Sequence, residues 1–213
     1  MRWTLWTVVV LGAVLGVLRY FFIEFYTVPD EANDPRSWAN APNLEPGDFV
    51  LVWRGGEPHI GDLLICPDPS ADPPKSKVMV ARVLGLPGDK IEYGETGLRI
   101  NNYRVAGAGC STMPRKINDA AGAATELVCQ GEEAGSSRHD IYTSPSMQTF
   151  AQTQVPAEKI FVLSDNRVSP WAHDSREPEV GTLDIAECRK KAVVRLWSKK
   201  GWSDAPRRMG FLY

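Results

Sequence analysis

The residues able to do acid–base, nucleophilic or metal chemistry are spread along a chain of 213 residues, and their spacing narrows what they can do. Cys66, Cys110, Cys129 and Cys188 contain no close Cys-x-x-Cys pair, which argues against a zinc ribbon or redox motif. Two disulfides outside the cytoplasm are expected; four separate thiols buried as small hydrophobes are the alternative. Cys110 and Cys129 flank a polar, Gly- and Ala-rich loop that a bridge would stabilise by restricting the unfolded chain, so this pair is expected to join. Asp174 and Arg176 are placed to form a bidentate ion pair. His59, His139 and His173 are expected at the surface, although His173 adjoins Asp174. Metal and nucleotide motifs are absent from the sequence, so no cofactor is expected.

The elements that must position these groups are short. Against 26 Asp and Glu stand 24 Lys and Arg, a net charge of −2, so no basic excess points to nucleic acid. Hydrophobic residues at 43% suffice for a packed core, while 18 Gly and 16 Pro favour short strands and many turns over a helical bundle. From Gly47 onward the apolar runs are bounded by Gly, Pro or Asp: Phe49 to Trp53, Leu63 to Cys66, Val78 to Leu84, Leu98 to Ile100, Ile160 to Leu163 and Ala192 to Trp197. They read as strands of a mainly β, antiparallel or barrel-like domain spanning 27–213. Across about 106–155 the pattern fades into small and polar residues, which suggests an inserted lobe or long loop.

The first 26 residues differ in kind. An uncharged run extends from Trp3 to Leu18, followed by Arg19 and then Tyr20 to Ile23. As one helix from Trp3 to Ile23 it would be about 31 Å long at about 1.5 Å per residue, the thickness of a hydrocarbon core. Trp3, Trp6, Tyr20 and Tyr26 lie toward its ends, where aromatic belts sit. A cleaved secretory signal shares the basic start and apolar run, but no small-x-small site follows, so an uncleaved single-pass anchor is expected.

Four stretches then occur in a fixed order. They are Arg19 to Pro29; Pro42-Asn43-Leu44-Glu-Pro-Gly47-Asp48 with the strand after it; Arg82-Val-Leu-Gly85-Leu-Pro87-Gly88-Asp89; and Ser164-Asp165-Asn166-Arg167 with Asp174-Ser175-Arg176. Gly-Asp turns are common in β proteins, but all four in order behind an apolar segment resemble the bacterial type I signal peptidases, membrane-anchored serine endopeptidases that cut leader peptides from exported proteins. The resemblance covers nearly the whole chain and is thinnest between Gly107 and Gln154. It implies a β domain on the extracytoplasmic side of a membrane, resting on it, with exported preproteins, leader peptides or a secretion component as partners.

The resemblance also implies a catalytic serine and a lysine kept neutral by desolvation to take its proton. The lysine place, just before the arginine of the third stretch, is Ala81, and Arg82 stays protonated and cannot replace it. Lys77 would share a face with Ala81, but four residues of strand put their backbones about 13 Å apart, and Lys75 is farther. Aligned backward from Pro42, the nucleophile place is Ala39, with seven extra residues after Val28-Pro29. A second register makes Ser37-Trp38 a displaced Ser-Met, although Ser37 reads more simply as a turn or cap residue. Ser146-Met147 copies the dipeptide by chance in the variable stretch. Asp165, Arg167, Ser169, Asp174 and Arg176 match residues that support the site, Ser169 being the nearest counterpart of a serine that orients the lysine. Ser164 stands where the family has glycine, and the stretch from Val168 to His173 is two residues longer than the family spacing. The expectation is a degenerate, inactive homologue that binds peptides or a partner; the alternative is an active divergent peptidase with Ser37 as nucleophile.

Overall fold

The computed structural model describes residues 2–31, 34–94, 97–110, 115–118, 124–144, 149–168 and 171–212. Helix α1 (Arg2–Phe21) leads into β1 (Ile23–Thr27), and the one-turn helix α2 (Pro35–Trp38) precedes β2 (Phe49–Arg54), β3 (Leu63–Pro67) and β4 (Val78–Gly85). A meander follows, β5 (Lys90–Gly94), β6 (Gly97–Ile100) and β7 (Tyr103–Arg104), and then β8 (Ala106–Ala108), β9 (Arg115–Asn118), β10 (Ala124–Ala134) and β11 (Ser137–Thr143). The remaining strands are β12 (Phe150–Gln154), β13 (Lys159–Leu163), β14 (Leu183–Asp184), β15 (Lys190–Trp197) and β16 (Gly210–Phe211).

The main sheet runs β1-β2-β15-β3-β4-β13-β14, with β16 beside β15; β12-β5-β6-β7 forms a second sheet, and β11-β10-β8, with β9 on β10, a third. All of these named strand pairs are antiparallel, as the short runs punctuated by glycine and proline require. Strand β3 is apolar without alternation because both its faces are covered. Leu64 and Cys66 pack with Met79, Ala81, Val83, Ile160 and Val162 on one side, and Leu63 and Ile65 with Val50, Val52 and Val80 on the other. The stretch 106–155 is strand-rich: β10 and β11 pair over seven positions from Val128↔Thr143 to Ala134↔Ser137.

Helix α1 ends at Phe21, earlier than Ile23, because the next residues are taken into the sheet. The Arg54 N–H donates to the Phe22 carbonyl at 2.8 Å, and the Arg54 guanidinium donates to the carbonyls of Arg19 and Tyr20 that the helix end leaves open. Among the described residues no helix is long and apolar enough to cross a membrane.

Candidate functional site

The site is framed by β4 and the segment after β13. Arg82 and Asp165 both lie at 0% exposure and pair through two hydrogen bonds, Nε to Oδ1 at 2.8 Å and Nη2 to Oδ2 at 2.7 Å. The remaining donor, Nη1, reaches the Gly61 carbonyl at 2.8 Å. Burial works against the Asp165 charge, but the Arg82 guanidinium outweighs it and holds the carboxyl below its ordinary value. Asn43 donates to Asp165 Oδ2 at 2.7 Å and to the Asp140 carbonyl at 2.6 Å, tying the second motif to the fourth.

The loop bearing the expected nucleophile lies against this frame. Asp34 caps α2 by accepting from the Arg36 N–H at 3.0 Å, and Pro35 fills a first-turn position that needs no donor. Ser37 follows at 0% exposure, and its hydroxyl accepts from the Glu31 N–H at 3.2 Å. Among the described residues no lysine, imidazole or carboxylate lies within hydrogen-bond distance of that hydroxyl. Past α2, the Ala39 carbonyl accepts from the Asn166 N–H at 2.8 Å, and Asn40 Nδ2 donates to the Val80 carbonyl at 2.5 Å. The fold therefore fastens the residue after Ala39 to the residue before Ala81. Both alanines are buried; Ala81 sits opposite Leu64 in an apolar cluster. Lys77 and Lys75 are exposed, and Lys75 pairs with Glu187 at 2.5 Å.

Asp174 and Arg176 form the expected bidentate ion pair. Arg176 donates to both Asp174 oxygens at 2.8 Å, the Ser164 N–H donates to Oδ2 at 2.9 Å, and Arg176 Nη1 reaches the Arg167 carbonyl at 3.0 Å. Burial pushes the Asp174 carboxyl up, but these donors outweigh it, and the net shift is downward. The serine in the glycine place has work of its own: its hydroxyl accepts from the His173 N–H at 2.9 Å and donates to the His173 carbonyl at 3.0 Å. Ser169 and the Ser146-Met147 dipeptide lie outside the described residues.

Two of the three histidines are buried, contrary to their expected surface placement. His173 Nδ1 lies 3.0 Å from Glu177 and Nε2 3.0 Å from Asp68, which also accepts from Arg36 at 3.2 Å. Burial lowers the His173 pKa, but the two carboxylates prevail and raise it above its ordinary 6.5. His139 stands between Ser137, 3.4 Å from Nδ1, and Glu132, 3.1 Å from Nε2, while Arg167 donates to Glu132 at 2.6 Å. This hydroxyl–imidazole–carboxylate chain has the composition of a hydrolytic triad, but all three members are buried and the Ser137 hydroxyl faces Arg82 Nη1 at 3.3 Å. It pins the β10–β11 hairpin to the frame. Only the Ser137/His139 spacing of two, same-face residues on a strand, hinted at it in the sequence.

Cys110 and Cys129 are bridged, and so are Cys66 and Cys188, with Cα separations of 5.8 and 4.7 Å. Cys110, Cys129 and Asp140 form the grouping of potential metal ligands among the described residues. Its two sulfurs are bonded to each other and offer no thiolates.

Residues 1–197 match the family model described as signal peptidase, peptidase S26. A signal peptidase I of Pseudomonas fluorescens is 31% identical over 183 residues, covering 76% of this chain and 58% of that protein. One from Pseudomonas aeruginosa is 28% identical over the same shares. A signal peptidase I of Bacillus caldolyticus is 29% identical over 203 residues, 93% of this chain and 91% of that protein. The chain thus spans little more than half the length of the Pseudomonas relatives it matches.

Proposed function

The chain belongs to the signal peptidase, peptidase S26, family, and from that premise we propose that it keeps the family's frame, has lost its hydrolytic dyad, and binds leader-type or exported peptides without cutting them. The observation that carries this reading is the pair of buried methyl groups at Ala39 and Ala81. Acyl transfer needs a nucleophile and a base within hydrogen-bond reach of each other, and a methyl group supplies neither. The Ser37 hydroxyl does not replace them, being buried and, among the described residues, out of hydrogen-bond reach of any base.

Binding an extended peptide as an added strand needs only open backbone edges and shallow pockets, and these do not depend on the dyad. We place the domain at a membrane on its extracytoplasmic side. Support comes from the exposed apolar surface of α1, which presents Val8, Val9, Val10, Leu11, Val14 and Leu15. An outer sheet face adjoins it, where Phe22 stacks on Trp53 and Phe49 stacks on both Phe25 and Trp197. The two disulfides suit an oxidising compartment.

The test is equilibrium binding of a fluorescent leader peptide to the full chain in detergent, followed by mass spectrometry of the recovered peptide. Saturable binding with intact peptide is expected. Absence of binding, or recovery of two fragments, contradicts the proposal.

A further inference from the structure

We propose that the segment Asp34–Ala41 is a built-in cover over an open edge of β4, latched by the Asn40 carboxamide on the Val80 carbonyl, and that a peptide strand pairs there only by displacing the latch. The inference rests on the peptide-binding reading above and concerns how that binding is controlled.

The edge follows from strand geometry. The Val83 N–H donates to the Asp62 carbonyl at 2.9 Å, and the Val83 carbonyl accepts from the Gly61 N–H at 2.8 Å, so Val83 directs its backbone toward the chain leading into β3. Backbone direction alternates along a strand. Ala81 and Met79 therefore direct theirs toward β3 as well, while Arg82, Val80 and Val78 point the other way. On that other side β13 pairs only with the end of the strand, from Leu163↔Arg82 to Phe161↔Gly85. Among the described residues, Val78 and Val80 have no strand partner on that side.

Asp34–Ala41 lies across this gap. At one end Arg36 bonds to Asp68, whose N–H donates to the Lys77 carbonyl just before β4 begins. At the other the Ala39 carbonyl is held by Asn166. Next to the second pin, Asn40 Nδ2 donates to Val80 at 2.5 Å, in the place of a neighbouring strand's N–H. By the motif resemblance, this is also the stretch in which the chain carries its extra residues.

The latch is built to yield. Asn40 is buried, yet its Oδ1 has no partner among the described residues. A buried acceptor left unpaired is costly. An incoming strand would replace the one hydrogen bond at Val80 with its own N–H and free Oδ1 to find water or a peptide donor. Opening the latch costs the Asn40–Val80 hydrogen bond, which the relief of Oδ1 offsets only in part, so Asn40 lowers the affinity without closing the edge permanently.

Calorimetric titration of the full chain with a synthetic extended peptide ending in Ala-Gln-Ala, against Asn40→Ala and Asn40→Leu, tests the latch. Both variants remove the donor to Val80, and Asn40→Leu keeps the shape should Asn40→Ala fail to fold. Removing one competing hydrogen bond should tighten binding roughly fivefold, and binding seen only in the variants supports the latch equally. Parent binding with unchanged or weaker affinity in the variants overturns the latch and leaves peptide binding standing. If neither parent nor folded variants bind, both the latch and the peptide-binding reading fall.

Discussion

The Arg82 guanidinium and the Asp165 carboxylate meet edge to edge, Nε to Oδ1 at 2.8 Å and Nη2 to Oδ2 at 2.7 Å, with neither side chain reaching solvent. Breaking a buried pair from one side strands the other charge, at about 3–5 kcal/mol. Asp165→Asn should lower the unfolding free energy by about that amount in urea denaturation. Arg82→Lys should also destabilise, because an ammonium cannot present the planar fork that matches the carboxylate. An unchanged urea midpoint in either variant would contradict the role given to the pair.

A pH dependence follows from His173. The Glu177 and Asp68 carboxylates face its two nitrogens, with Arg36 behind Asp68, and its folded pKa is raised above 6.5. Its contribution to stability is therefore fully present below about pH 6.5 and lost as pH rises through the folded value. Urea midpoints measured from acidic to alkaline pH should fall across that window in the parent, and less steeply in His173→Gln. Parallel profiles would show that the imidazolium contributes nothing.

The two disulfides close loops of very different size, with separations of 122 residues for Cys66–Cys188 and 19 for Cys110–Cys129. In the chain-entropy picture these are worth about 4.9 and about 3.2 kcal/mol. The Cys66→Ser/Cys188→Ser double variant should thus lose more thermal stability than Cys110→Ser/Cys129→Ser. Differential scanning calorimetry decides, and the reverse order would mean that native-state packing outweighs loop closure.

The sequence announced those parts of the molecule whose pattern is local. The strands from Phe49 to Trp53, Leu63 to Cys66 and Val78 to Leu84 are apolar runs between turn residues, and the Asp174–Arg176 pair lies within one short segment. The Cys110–Cys129 bridge was legible because the loop it closes is itself conspicuous. What stayed hidden depends on distant segments meeting. Asn43 finds Asp165 across 122 positions, and Asn40 finds Val80 across 40. The polar neighbours of His139 read as solvent exposure, whereas in the fold Glu132 and Asp165 face its Nε2 and Arg167 donates to Glu132 in a buried network. The end of α1 is not legible either, because Phe22 and Ile23 continue the apolar run up to Glu24, and only the pairing of Ile23–Thr27 with Phe49–Trp53 makes Ile23 the start of a strand.

On the proposed reading, Ala39 and Ala81 leave the frame without hydrolytic chemistry. Cleavage of a labelled leader-bearing preprotein by the purified full chain in detergent, run beside Ser37→Ala and beside an active leader peptidase, puts this to the test. An intact preprotein is expected with both the parent and Ser37→Ala while the control cuts it. Cleavage by the parent that Ser37→Ala abolishes would contradict that reading and make Ser37 the nucleophile.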